Sequence, residues 1–158
     1  MRLSSKSKYG IKAMVDLALS YESGEYVSTA VLAASQNISE GYLEKQISSL
    51  KKAGLIESTR GIFGGSKLSR APKDINVGEI IRAIEGKTAI ADCVDTSAKH
   101  SCGNACVCSA RPLWLKLQHR IDEVLNTTTL KDMADDYITQ ADFFNNKSIK
   151  LNCQESEK

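Results

Sequence analysis

Residues 28–69 combine two short helices, a tight turn between them and a glycine-rich hairpin after them, and this order constrains the fold more than any other feature. Ser28 and Ser39 are predicted N-caps, because a serine hydroxyl accepts hydrogen bonds from the free amides of a helix's first turn. Gln36 and Asn37 lie between the two helices and favour a turn. The pattern therefore predicts a helix-turn-helix.

Two short strands are predicted directly after the second helix, at residues 55–58 and 67–69. The loop between them, residues 59–65, contains three glycines. A hairpin at this position is the wing of a winged helix-turn-helix. Taken alone, the glycines also suit a simple flexible loop. They do not form a nucleotide-binding fingerprint, because no strand–loop–helix order surrounds them.

The fold predicted for the whole chain is mainly α-helical with a small β-wing. Apolar residues repeat with helical spacing over residues 5–20, and again between Asn76, a predicted N-cap, and Gly86. A long helix starts at Pro112, since proline suits a first helical turn, and a last short helix follows it. We divide the chain into a winged helix-turn-helix domain, a cysteine-rich loop, a long helix with a C-terminal helix, and a disordered tail, at residues 1–86, 87–110, 111–144 and 145–158.

The helix-turn-helix predicts which residues contact double-stranded DNA. The second helix of this motif places its N-terminal residues against base edges. A carboxylate there discriminates between sequences, because it accepts a hydrogen bond from cytosine and repels phosphate. An arginine in a wing suits the negative potential of a minor groove, and lysines suit phosphates. The predicted DNA-binding residues are Ser39, Tyr42, Glu44, Lys45, Arg60, Gly64, Gly65, Lys6 and Lys8. Taken singly, Glu44 and Arg60 also suit ordinary solvated surface charges.

Four cysteines, Cys93, Cys102, Cys106 and Cys108, lie within sixteen residues, and Cys153 lies alone in the polar tail. Thiolates are soft ligands that hold iron–sulfur clusters, zinc or copper(I). The spacing is too irregular for a zinc ribbon, whose cysteines come in Cys-x-x-Cys pairs. From the residues alone, an iron–sulfur cluster, a zinc ion and a bare redox thiol all remain open.

The composition argues against several classes of protein. No run approaches the roughly 18 apolar residues of a membrane span, and the N-terminus lacks the apolar stretch of a signal peptide. The expectation is a cytoplasmic protein with no membrane partner. Only two histidines are present and no nucleophile elbow, which argues against an enzyme. Residues 1–70 carry ten Lys and Arg against six Asp and Glu, an excess that favours an anionic partner but also suits a normal solvated surface.

Five segments together resemble the Rrf2 family of bacterial transcription regulators. They are RLSSKSKYGIKAM, ISEGYLEKQISSLKKAGLI, STRGIFGG, INVGEIIRAIEG and CSARPLW, at residues 2–14, 38–56, 58–65, 75–86 and 108–114. The resemblance implies a homodimeric winged helix-turn-helix with a long dimerisation helix. It also implies an iron–sulfur cluster held by three cysteines in the loop before that helix. The residues expected to form the dimer contact have the three-and-four spacing of paired helices and are Trp114, Leu117, Ile121 and Val124.

The resemblance also assigns individual residues. Cys93, Cys102 and Cys108 match the three cysteines that hold the cluster in the family. Glu44 matches the position that tunes the choice of DNA site, and Arg60 matches the wing arginine.

The chain departs from the family pattern at three positions. Ser66 stands where the wing usually has a tyrosine. Arg111 stands where some members have a histidine ligand, and Lys8 where others use an acidic residue of the partner subunit. The fourth ligand is therefore open, with Cys106 and His100 as candidates, and the spacing does not distinguish [2Fe–2S] from [4Fe–4S].

The expected function is that of a regulator, a repressor, whose operator binding is controlled by an iron–sulfur cluster that senses cluster supply, redox state or nitric oxide. The alternative is a cluster-free regulator of cysteine or sulfur metabolism that acts through a partner protein or thiol oxidation. A thiol redox enzyme or metal carrier is a third and less favoured interpretation.

Overall fold

A computed structural model describes residues 4–61, 64–86, 88–95, 102–104 and 107–147, with side chains as far as residue 143. The described residues form six α-helices and one antiparallel pair of strands. In chain order the elements are α1 (Ser5–Leu19), α2 (Thr29–Ser35), α3 (Glu40–Lys52), β1 (Ile56–Thr59), β2 (Gly65–Leu68), α4 (Val77–Glu85), α5 (Arg111–Thr127) and α6 (Leu130–Lys147). The predicted mainly α-helical fold with a small β-wing is confirmed.

Helices α2 and α3 form the helix-turn-helix. The Ser28 hydroxyl accepts a hydrogen bond from the amide of Val31 at 3.2 Å, so this serine caps α2 as predicted. Asn37 turns the chain with a φ of +52°, in the left-handed region that asparagine tolerates. The amide of Ile38 then donates to the carbonyl of Ala33 at 3.1 Å and closes the turn. Four residues, 36–39, separate the two helices.

The wing is the hairpin of β1 and β2, in which Ile56 pairs with Leu68 and Thr59 with Gly65. A third segment pairs with its edge, because the backbone of Val27 exchanges hydrogen bonds of 2.9 and 2.8 Å with that of Ser66. A Cβ atom on Gly65 would lie 2.5 Å from the carbonyl oxygen of Val27. This close approach explains why a glycine is required at the start of β2.

The apolar core lies between α1, α2, α3, α4 and the wing. Met14 of α1, Leu43 and Leu50 of α3 and Ile80 of α4 are each fully buried. Burial of one such side chain contributes about 1.5–3 kcal/mol, so these contacts fix how the helices sit against one another. Leu130, at the start of α6, is also fully buried and belongs to the same core.

Helix α4 begins with a capping box. The Asn76 side chain accepts from the amide of Glu79 at 2.9 Å, and the Glu79 carboxylate accepts from the amide of Asn76 at 3.0 Å. Arg70 also bonds this carboxylate. The predicted cap at Asn76 is therefore confirmed, and Gly86 ends the helix with a φ of +77°.

The C-terminal part of the chain differs from the expectation in length. Helix α6 has 18 residues and ends at Lys147, so it is not short and it continues beyond the predicted boundary at residue 144. Its start is fixed by backbone hydrogen bonds from Leu130 to Ile75, at 2.8 Å, and from Val77 to Thr128, at 3.0 Å. The remainder of the expected tail, from residue 148, lies outside the described residues.

Candidate DNA-binding surface and cysteine segment

The N-terminal part of α3 carries polar side chains that are exposed to solvent. Ser39 occupies the N-cap position with extended backbone, yet its hydroxyl makes no capping hydrogen bond and the residue is exposed. Glu44 and Lys45, one turn further on, are exposed as well. These three side chains are therefore available to a nucleic acid laid along this end of the helix.

Tyr42 lies between these exposed residues and is half-buried against α1. Its ring meets the ring of Tyr9 edge to face, with centroids 5.8 Å apart and planes at 88°. The ammonium group of Lys12 lies 5.9 Å from the centroid of the Tyr9 ring. The sequence did not indicate Tyr9, because its contact with Tyr42 depends on how α1 crosses α3. Its spacing of three residues from Lys12 suggested only that these two side chains lie on the same face of α1.

The wing presents Arg60 at the end of β1, where the residue is exposed. Gly61 has a φ of +113°, and a Cβ on Gly64 would lie 2.8 Å from the carbonyl oxygens of Gly61 and Thr59. The turn can therefore close only with glycine at these positions. Residues 62 and 63, at its tip, lie outside the described residues.

A second cation lies at the base of the wing. The Lys67 ammonium group is 4.8 Å from the centre of the Tyr26 ring and 3.9 Å from the carboxylate of Glu57. Both contacts hold the lysine on the wing surface.

The first turn of α1 carries the exposed lysines Lys6 and Lys8 and is fastened to the end of α4. One carboxylate oxygen of Glu85 accepts from the amide of Ser4 at 3.2 Å, from the hydroxyl of Ser7 at 2.6 Å, and from the Ser4 hydroxyl. The Ser4 and Ser7 hydroxyls, with the Ser4 amide and the nearby charge of Lys6, hold the pKa of Glu85 below that of an ordinary glutamate despite partial burial.

The three described cysteines are free thiols: Cys93 and Cys108 are half-buried and Cys102 is exposed. Within the described ranges, no group of three or more His, Cys, Asp or Glu residues lies close enough to hold a metal ion. The other predicted ligands, Cys106 and His100, lie outside these ranges. The donor chemistry of the segment suits a soft metal centre, but the described thiols do not form an assembled site.

Arg111 makes hydrogen bonds to the backbone at both Cys93 and Cys108. Its amide donates to the carbonyl of Cys108 at 3.3 Å, and its guanidinium Nε donates to the carbonyl of Cys93 at 3.4 Å. Since Arg111 is also the first residue of α5, both segments are held at the start of that helix. Further along α5, Gln118 accepts from the amide of Ile90 at 2.9 Å, which adds a second attachment.

Helix α5 contains no buried residue. Of the predicted dimer residues, Trp114 and Ile121 are half-buried, whereas Leu117 and Val124 are 41% and 61% exposed. Leu113 and Leu115, which the sequence reasoning did not select, are 53% and 44% exposed. The chain itself therefore leaves much apolar surface of this helix in contact with solvent. None of the helices in the described part of the chain is both long and apolar enough to cross a membrane.

Comparison with known proteins agrees with this architecture. Residues 3–136 match the family model described as "Rrf2: Iron-dependent Transcriptional regulator". The chain is 35% identical over 134 residues to the "HTH-type transcriptional regulator CymR" of Bacillus subtilis, an alignment that covers 85% of this chain and 90% of that protein. It is 38% identical over 136 residues to the "HTH-type transcriptional regulator IscR" of Photobacterium profundum, covering 86% of this chain and 77% of that protein.

Solved structures give the same assignment. The structure of "CymR (YrzC) the Global Cysteine Regulator of B. subtilis" superimposes with a TM-score of 0.70 at 34% identity and covers 85% of this chain and 97% of that chain. The structure of "T. potens IscR" superimposes with a TM-score of 0.66, also at 34% identity, and covers 100% of this chain and 94% of that chain. From its winged helix-turn-helix and these matches, the chain belongs to the Rrf2 family of DNA-binding transcriptional regulators.

Proposed function

We propose that the protein is a homodimeric repressor whose operator binding is controlled by an iron–sulfur cluster held at the cysteine segment. The observation that carries the proposal is the attachment of Cys93 and Cys108 to Arg111, at the start of α5. Thiols at this position lie between the winged domain and the helix whose apolar residues remain exposed. A change at the thiols can therefore alter how two subunits present their recognition helices.

The proposed DNA contacts divide into reading and positioning groups. Ser39, Tyr42, Glu44 and Lys45 are proposed to face base edges, and Arg60, between Thr59 and the tight glycine turn, to enter a minor groove. Phosphate contacts are proposed for the exposed lysines of α1 and for the backbone of the wing, at Lys6, Lys8, Gly64 and Gly65.

Coupling between the thiols and these contacts needs a physical connection. Helix α5 is joined to the cysteine segment at Arg111 and Gln118, and to α4 by a 3.0 Å hydrogen bond from Arg82 to Asn126. Helix α4 in turn fastens the first turn of α1 through Glu85. A rotation of α5 would thus act on α4 and α1 rather than on a flexible linker. Because two half-sites lie about 34 Å apart, small rotations change how well both recognition helices fit them.

The proposed ligands are Cys93, Cys102 and Cys108, with Cys106 or His100 as the fourth. When bound, an iron–sulfur cluster supplies a redox-active and nitric-oxide-sensitive centre to this segment. To share a cluster, exposed Cys102 and the half-buried Cys93 and Cys108 would have to approach one another.

Anaerobic reconstitution tests the cluster. The wild type should bind iron and sulfide and absorb visible light, whereas Cys93→Ala, Cys102→Ala and Cys108→Ala should each be colourless. Cys153→Ala is the matched control and should retain the colour. A wild type that binds no iron or sulfide, or variants that all keep its spectrum, would refute the proposed site.

Selection of duplexes from a randomised library tests the DNA contacts separately. Arg60→Ala should weaken binding to the selected duplex, while Glu44→Ala should broaden the range of selected sequences. Lys52→Ala, at the other end of α3, is a control for loss of charge. Identical selection and affinity for all three variants would remove the proposed readout.

A cluster-free regulator of cysteine or sulfur metabolism, acting through thiol oxidation or a partner protein, is the second candidate. It is favoured by the similarity to CymR, the global cysteine regulator of B. subtilis. It predicts a reconstituted protein without iron that binds DNA, and whose DNA affinity changes when the thiols are oxidised or a partner is added.

A further inference from the structure

The contact between α1 and α3 includes a pair of aromatic rings, whereas the fully buried core residues are mostly aliphatic. Two half-buried tyrosines, Tyr9 and Tyr42, meet there at the edge of the surface that carries the exposed end of α3. Next to this pair, Gly10 allows α1 to approach α4 closely, since a Cβ at this position would clash with the side chain of Ile84; the same Cβ would lie at an ordinary contact distance, 3.8 Å, from the Cβ of Gln46 on α3. The pair therefore lies where α1 packs closely against α4 and also contacts α3.

The orientation of the Tyr42 ring depends on a residue outside its own helix. Edge-to-face packing with centroids 5.8 Å apart is the favoured geometry of an aromatic pair, because the positive ring edge faces the negative ring face. The Lys12 ammonium group, 5.9 Å from the centroid of Tyr9, adds a cation to the same arrangement. Without the Tyr9 ring, Tyr42 would lose the aromatic ring it packs against on α1.

We propose that Tyr9 determines sequence specificity indirectly, as a positioning residue that fixes the Tyr42 ring for the reading of DNA. The proposal rests on the DNA contacts proposed above. Tyr9 is not assigned a contact with a base. Loss of the Tyr9 ring should therefore change the ratio of the affinities for the preferred and the non-preferred duplex. The reason is that, of the proposed DNA contacts, only those made by Tyr42 depend on the Tyr9 ring.

The variants separate positioning from folding. Tyr9→Phe keeps the ring and should preserve the preference for the duplex that the wild type selects from a randomised library. Tyr9→Leu should reduce that preference by about two- to tenfold, the size of one aromatic pair, with little change in affinity for a duplex of unrelated sequence. Thermal unfolding checks that each variant folds. If Tyr9→Leu does not fold, Tyr9→Met is used in its place.

Tyr26→Leu is the matched control, since Tyr26 also lies against a lysine, Lys67 of the wing. It should leave discrimination between the two duplexes unchanged. In a double-mutant cycle, Tyr9→Leu should add little to the loss of discrimination already caused by Tyr42→Leu, because the two residues act as a unit.

Each other result overturns the inference. Equal discrimination by the wild type and Tyr9→Leu excludes a role in specificity, and equal weakening towards both duplexes shows that Tyr9 is merely structural. Additive losses in the double mutant show that Tyr9 does not act through Tyr42. A wild type that selects no sequence at all would instead contradict the DNA readout proposed earlier, so the two failures can be told apart.

Discussion

The winged part of the chain buries most of its large apolar residues within one subunit, whereas helix α5 leaves many of its apolar residues exposed. Helix α1 has six buried residues, and α5, which is longer, has none. Both helices carry regularly spaced apolar side chains, so spacing alone does not decide whether the chain covers them. The winged part therefore forms its own apolar core, while the exposed apolar side chains of α5 suit the subunit contact proposed above.

The largest predicted effect contrasts one leucine from each region. Leu50→Ala removes a fully buried side chain from α3 and should lower the free energy of unfolding by about 2–5 kcal/mol. Leu117→Ala, on α5, should cost less than about 1 kcal/mol in conditions where the protein is monomeric, because its side chain is already 41% exposed. Urea unfolding at low protein concentration measures both. Equal losses would show that α5 is part of the single-chain core.

The second prediction concerns association. Leu117→Asp should raise the dimer dissociation constant by at least about a hundredfold, because a buried interface cannot easily accept an unpaired carboxylate. Glu123→Asp, an exposed change on the same helix, is the control. Sedimentation at several concentrations gives the constants. A Leu117→Asp variant that dimerises normally would place the subunit contact elsewhere.

The third prediction concerns Glu85, at the end of the winged part. Glu85→Ala should lower the free energy of unfolding by about 1–3 kcal/mol, because the fully buried Ser7 hydroxyl loses its acceptor. Glu57→Ala, an exposed glutamate of the wing, should change it by less than about 0.5 kcal/mol. Urea unfolding of both variants at neutral pH checks the difference.

Acidification sharpens this third prediction. Since the folded pKa of Glu85 lies below its unfolded value, its contribution is fully present above the unfolded pKa and is lost as the pH falls through the folded one. Between about pH 6 and pH 3 the wild type should therefore lose more stability than Glu85→Gln. Parallel pH curves would show that the charge of Glu85 is not stabilised in the folded state.

The smallest predicted effect separates two serines at helix N-caps. Ser28→Ala should cost about 0.5–2 kcal/mol, because its hydroxyl caps α2. Ser39→Ala should change stability by only a few tenths of a kcal/mol, since its hydroxyl makes no capping bond, but it should weaken binding to the selected duplex. Stability and DNA affinity are measured on the same samples. A large loss of stability in Ser39→Ala would mean that this hydroxyl serves the fold.

Local signals predicted the winged part well. The caps at Ser28 and Asn76 and the left-handed glycine at position 86 were predictable because each depends on residues within one or two turns. The length of α6 was not predicted, and its start depends on a backbone bond from Leu130 to Ile75, more than fifty residues away, which the local sequence does not specify. The candidate site divides in the same way: the cysteines are evident in the sequence, but their attachment to α5 through Arg111 is not.

The sequence by itself determined the order of helices, the wing, the set of thiols and the family, because these depend on local spacing and on residue chemistry. Only the tertiary structure decided which apolar residues the chain buries, since Leu50 and Leu117 look alike in the sequence, yet the core of the winged part buries Leu50 fully and leaves Leu117 41% exposed. It also decided that Tyr9 meets Tyr42 and that Glu85 meets Ser7, because each pair joins segments far apart in the chain. Such contacts depend on how helices cross, which local sequence does not specify.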